Sequence, residues 1–117
     1  MIHELITIAG NIVTLDDKPA TIDVLLPKPD CLILIELRVK SIDEPSLVVN
    51  TGVFFQTWQT RHSELFEIDP LTPAYSFVGD PRITARLLNE HNKIVLQLVG
   101  RARTSWAWDI QIRTLTI

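Results

Sequence analysis

The chain has 117 residues, 46% of them hydrophobic and 21% charged, and a formal net charge of −3. That length predicts a single domain spanning residues 1–117, and that hydrophobic share argues against a disordered chain. The lack of a basic excess argues against a dedicated nucleic-acid binder, and the single cysteine, Cys31, excludes an intrachain disulfide scaffold and fits synthesis in a reducing cytosol.

Met1-Ile2-His3-Glu4 lacks the basic start of a secretory leader. The longest apolar run, Cys31 to Ile35, is strand-sized and far short of the roughly 18 residues that cross a membrane as a helix. Residues 2–15 carry Ile2, Leu5, Ile6, Ile8, Ile12, Val13 and Leu15, punctuated by Gly10-Asn11. They predict one or two short strands, so that residues 1–19 form an N-terminal strand or arm. After a turn at Asp16-Asp17-Lys18-Pro19, Ile22, Val24 and Leu26 alternate with Thr21, Asp23 and Leu25. A period of two predicts a strand, which ends at Pro27-Lys28-Pro29-Asp30, where two prolines deny ladder donors.

Cys31 to Ile42 is the longest early strand. Ile33, Ile35, Leu37 and Val39 share one face; Leu32, Leu34, Glu36, Arg38 and Lys40 share the other. A sheet of a two-layer sandwich needs only one apolar face, so Leu32 and Leu34 require a cover. The N-terminal segment or a loop would supply it, or a subunit contact would.

Leu47 to Gln59 is a second long strand, rich in β-branched and aromatic residues. Gly52 within it predicts a bulge or a close backbone approach. A turn at residues 60–63, a short strand through Leu65, Phe66 and Ile68, and a proline-bearing loop over 69–73 follow. Tyr75, Phe77 and Val78 lead to a turn at Gly79-Asp80-Pro81. Ile83 to Leu88 alternates as a strand, and residues 89–92 form a polar connector. Ile94, Leu96 and Leu98 then alternate up to Gly100, and Trp106, Trp108, Ile110 and Ile112 alternate after it. Two such runs joined by a short polar loop predict a closing β-hairpin. No stretch has helical periodicity. The expected fold is all-β: an antiparallel β-sandwich of jelly-roll or related topology.

Little in this chain has the pattern of chemistry. His3, His62 and His91 are scattered among turns and the N-terminus, without HxH or HExxH spacing, and Cys31 has no partner at metal-ligand spacing. Ser63 beside His62 on adjacent positions is no nucleophile–base pair. Asp16-Asp17 and Asp43-Glu44 are adjacent acids in turns, whereas acid–base catalysis needs carboxylates converging across a cleft. The expectation is a non-enzymatic protein with no catalytic residues, metal or cofactor. Arg61, Arg101 and Arg103 are solvated loop charges or a small basic patch at hairpin tips. Trp58 and Trp106 are the aromatics placed to face a ligand such as a sugar ring; Trp108, in phase with Ile110 and Ile112, is expected in the core with its N–H on a backbone acceptor.

The order of parts in the C-terminal half is similar to a recurrent ending in β-sandwich structural proteins of tailed bacteriophage virions: a V-x-V-T-G segment, a small-residue hairpin, and an I-x-W strand. Here Leu98-Val99-Gly100 stands for the first and Trp106-Ala107-Trp108 for the last. Ala20-Thr21-Ile22 through Leu26-Pro27, Leu34-Ile35-Glu36 through Val39, Gly52-Val53-Phe54 and Val78-Gly79 resemble the family's earlier parts. Each motif is short, and the Asp69–Ala74 loop and Arg103-Thr104-Ser105 depart from the pattern. The resemblance implies a virion component on the capsid surface: a capsid-decorating (cement) protein, commonly a trimer, binding the major capsid protein and itself. A tail or fibre module that binds a carbohydrate or receptor is the alternative. Apolar contacts would carry the binding, with Ile2, Leu5, Ile6, Leu32 and Leu34 as the expected contact residues.

Overall fold

A computed structural model describes residues 4–117. It contains nine strands among the described residues: β1 Glu4–Thr14, β2 Ala20–Leu25, β3 Leu32–Asp43, β4 Val48–Arg61, β5 Glu64–Glu67, β6 Thr72–Val78, β7 Thr84–Glu90, β8 Lys93–Val99 and β9 Trp106–Thr116. They make two antiparallel sheets. The larger has the order β1-β9-β3-β4-β5, with β6 also pairing β4 beside β5; the smaller has the order β2-β8-β7. The all-β sandwich expected from the period-two alternation is the observed fold.

Alternation places the core between the layers. Ile33, Ile35, Leu37 and Val39 of β3, Trp58 of β4, and Trp106, Trp108, Ile110 and Ile112 of β9 are buried on one side. Val24, Leu87, Ile94, Leu96 and Leu98 of the smaller sheet are buried against them. Each such side chain removed from water stabilises the fold by roughly 1.5–3 kcal/mol, less what the denatured chain already buries.

The expected closing hairpin does not form. β8 pairs β2 and β7 in one sheet, while β9 pairs β1 and β3 in the other. Both runs are amphipathic, but their apolar faces meet face to face across the core instead of lying side by side. Nested pairing explains this: β1 joins β9 and β2 joins β8, so the two ends of the chain run together and cross from one layer to the other. The corner between β8 and β9 is crowded. A Cβ on Gly100 would lie 2.5 Å from Thr14 Oγ1 and 2.7 Å from the Asp16 carbonyl oxygen, so only glycine fits.

The N-terminal segment is a strand rather than an arm over Glu4–Thr14, paired along its whole length with β9. It lies in the same layer as β3, and so does not cover Leu32 and Leu34. Gly52 is a close approach rather than a bulge: a Cβ there would lie 2.5 Å from the Phe54 ring. The bulge of this region falls one residue later, between Val53 and Phe54, and leaves Ala74 of β6 without a partner.

Hairpin ends use unusual backbone. His91 and Asn92 both have positive φ, 53° and 61°, the mirror-image turn whose twist matches two flanking strands. Asn92 N also donates to Asn89 Oδ1 at 2.9 Å. Leu47, with φ 59°, closes the β3–β4 connection, its N–H donating to Asp43 O at 2.7 Å.

Candidate functional site

The larger sheet has a second face, directed away from the core, and its register sorts that face into rows. Leu5, Leu115, Leu34 and Thr57 form one row across β1, β9, β3 and β4. Beside it, towards the strand ends, Leu32 exchanges backbone hydrogen bonds with Ile117 at 3.0 and 2.8 Å and pairs Gln59, which pairs Phe66. The next rows towards the middle of the strands are polar on β9 and β3: Thr7–Arg113–Glu36–Phe55, then Ala9–Gln111–Arg38–Val53, then Asn11–Asp109–Lys40–Thr51. Val13, Ala107, Ile42 and Val49 make a second apolar row at the far end.

The first apolar end is open to solvent. Leu5 is 57% exposed, Phe55 48% and Ile68 54%, with Leu32, Phe66 and Ile117 also exposed. A depression of about 410 Å³ lies here, lined by Leu5, Leu34, Leu115, Phe55, Glu36 and Arg113. Its charged rim is internally paired: Glu36 accepts from Arg38 Nη2 at 3.0 Å and from Arg113 Nη1 at 3.5 Å. The floor is apolar and the rim polar.

Of the five expected contact residues, the structure brings Leu5, Leu34 and Leu32 onto this one patch. Ile6 points the other way: its register partner is the buried Thr114, because consecutive strand residues alternate faces. Ile2 lies outside the described residues, as does His3. Leu115, Ile117, Phe55, Phe66 and Ile68 belong to the patch without having been expected there. Two of them had a signal in the sequence. The outward face of β9 turns from Asp109, Gln111 and Arg113 to Leu115 and Ile117, the reverse of the change from Leu32 and Leu34 to Glu36 along β3. Antiparallel pairing aligns the two apolar ends.

The expected ligand-facing tryptophans are core residues. Trp58 is 2% exposed and Trp106 1%, because both lie in phase with the inward face of the larger sheet, Trp58 opposite Ile33. Trp106 Nε1 donates to Thr104 Oγ1 at 3.0 Å. Trp108 is buried as expected, and its Nε1 acceptor is the Thr14 hydroxyl at 2.9 Å rather than a backbone carbonyl. Neither do the three arginines make a patch. Arg61 ends β4 at the end of the sandwich where β3 begins. Arg101 and Arg103 lie at the opposite end, before β9.

Among the described residues, Asp80 is the buried charged side chain. Arg82 donates from its backbone N and from Nε to Oδ1, both at 3.0 Å, and from Nη2 to Oδ2 at 3.2 Å; Arg101 Nη1 reaches Oδ2 at 3.4 Å. The hydrogen bonds from the Arg82 side chain and backbone hold its carboxyl below the usual carboxylate value, against the opposing effect of burial. Asn50 fastens the same turn to β4, accepting from Gly79 N and Asp80 N at 2.9 Å and donating to Asp80 O at 2.8 Å. These contacts clamp the 79–82 turn to β4 and to Arg101. No group of three or more His, Cys, Asp or Glu side chains among the described residues is placed to hold a metal ion. Comparison with protein-family models, with curated proteins and with solved structures gives no match in any of the three.

Proposed function

We propose that this chain is a non-enzymatic structural protein that works by docking the apolar end of its larger sheet's outer face onto another protein. We propose further that it does so as a capsid-decorating protein of a tailed phage. The observation that carries the docking is the Leu5–Leu115–Leu34 row, continued by Leu32 and Ile117, left without a cover among the described residues. The virion setting rests on the order of sequence motifs over residues 20–117, from which the closing hairpin must now be subtracted. Burial of partly exposed leucine and phenylalanine side chains would supply the affinity, and a repeating capsid lattice would multiply weak contacts by avidity.

The test is cosedimentation with capsids assembled from the major capsid protein encoded in the same genome. Binding is expected for the natural chain and loss of it for Leu34→Glu, a substitution at a half-buried position of the outer face, outside the core between the sheets. The absence of a major capsid gene from the genome, or binding unchanged by Leu34→Glu, would overturn the proposal. The carbohydrate-binding alternative has lost the residues that motivated it, since Trp58 and Trp106 present no indole face to solvent.

A further inference from the structure

The free side of β6 is a second, separate surface. β6 pairs β4 on one side, and no strand among the described residues pairs the other. All seven residues of Thr72–Val78 are exposed and none is charged. Tyr75 is 58% exposed, Phe77 55% and Val78 56%. Edge strands are ordinarily protected by charge, proline or a bulge, because open N–H and C=O groups recruit another strand. Other edges here carry such protection: Glu64 and Glu67 on β5, Asp23 on β2, Arg86 and Glu90 on β7, and Glu4 with the mid-strand Gly10-Asn11 on β1. In β6 the protection, Pro73 and the bulge at Ala74, stops short of Tyr75–Gly79.

The direction of the open groups follows from the ladder. Asn50 is opposite Val78, so Gly79 is opposite Val49, and Gly79 N donates to Val49 O at 3.1 Å. Hydrogen-bonded positions alternate in an antiparallel pair. Tyr75 and Phe77 therefore turn their backbone groups to β4, while Ser76 and Val78 turn theirs to the open side.

We propose that β6 is a self-association edge, at which two copies of the chain pair antiparallel about a twofold axis at Phe77. In that register Ser76 exchanges backbone hydrogen bonds with the second copy's Val78, and Val78 with its Ser76. Phe77 meets its symmetry mate in a non-hydrogen-bonded position, where side chains come closest, and Tyr75 lies diagonal to it on the same face. The segment is uncharged, so twofold pairing sets no like charges against each other, and it is self-complementary as an isologous contact must be. Tyr75, Phe77 and Val78 lose water together with the open backbone groups. The contact is small and belongs to the transient class. It uses a strand edge rather than the leucine patch, which lies on other strands, although Tyr75 and Phe77, opposite Val53 and Thr51, project on the same outer face of the sheet.

Sedimentation equilibrium of the full chain from about 1 μM to about 1 mM tests it, a range that brackets transient affinities. The mass should rise with concentration from monomer towards dimer. Ser76→Lys with Val78→Lys places like charges opposite each other twice and should weaken the dimer by roughly tenfold or more. Ser76→Lys with Val78→Glu places opposite charges there and should restore it. Both positions are exposed, and unchanged far-ultraviolet circular dichroism would show that each variant folds. Independently of these variants, Phe77→Cys in a Cys31→Ser background should give an interchain disulfide with a mild oxidant, since the two thiols face each other across the axis. A mass fixed at one protomer, or fixed at three and unmoved by the double-lysine variant, would overturn the proposal. A lysine–glutamate variant as monomeric as the double-lysine one would overturn the register.

Discussion

The indole Nε1 of Trp108 donates to the hydroxyl of Thr14 at 2.9 Å, across 94 positions of sequence. Both groups are buried. The bond joins the last strand to the end of the first, beside the Gly100 corner where the chain crosses between layers. Removing the acceptor leaves a buried N–H unpaired, which costs about 1–3 kcal/mol. Thr14→Val should therefore lower stability in urea by about that amount, with the slope of the transition unchanged. Gly100→Ala should be at least as harmful, since its Cβ would meet the Asp16 carbonyl oxygen.

Acid should act through Asp80. Its carboxyl is held below the unfolded value of 3.8, so its contribution to stability is fully present above that pH. The contribution is lost as pH falls from there through the lower folded-state value. Asp80→Asn should lower stability by about 1–3 kcal/mol at neutral pH, moderated because both arginine partners are partly exposed. The gap between the two proteins should close as pH drops below 3.8. Chemical denaturation at neutral and acid pH reads both effects; a gap that widens in acid would refute the assignment.

Leu47 is a bulky residue at φ 59° and 73% exposed. A left-handed conformation costs such a side chain roughly 1–2 kcal/mol, and little packing is lost by removing it. Leu47→Gly should raise the thermal midpoint, by an amount equivalent to about 1 kcal/mol or less once the added freedom of the unfolded chain is counted. Scanning calorimetry measures it.

All three indoles should be inaccessible. Trp58, Trp106 and Trp108 are each at most 3% exposed, so tryptophan emission should be blue-shifted and weakly quenched by iodide. Added oligosaccharides should leave it unchanged. Strong iodide quenching in the native state would contradict the packing described.

Much of the fold was legible because alternation reports burial. β3 shows it: Ile33 to Val39 at odd positions is core, and the mixed even positions are the outer face. Trp108 was legible for the same reason, lying in phase with Ile110 and Ile112. Trp58 and Trp106 obey that phase too. Their large aromatic type does not override that phase, which carries both indoles into the core. Ile6 shows the limit in the other direction: beside Leu5 it has the same chemistry, and only the parity of its position sends it inward.

What the sequence alone determined, then, is which side chains of each strand share a face, that the chain is all-β, and where most turns fall. These are local consequences of a two-residue period and of proline, glycine and polar clusters. The tertiary structure decided which strands are neighbours. Backbone hydrogen bonds carry no side-chain identity, so an amphipathic run looks the same whether its neighbour in sequence lies beside it or across the core. For that reason β8 and β9 could be recognised as strands but not as members of opposite sheets. For the same reason Leu5, Leu34 and Leu115 become one apolar row only when β1, β9 and β3 are set in register.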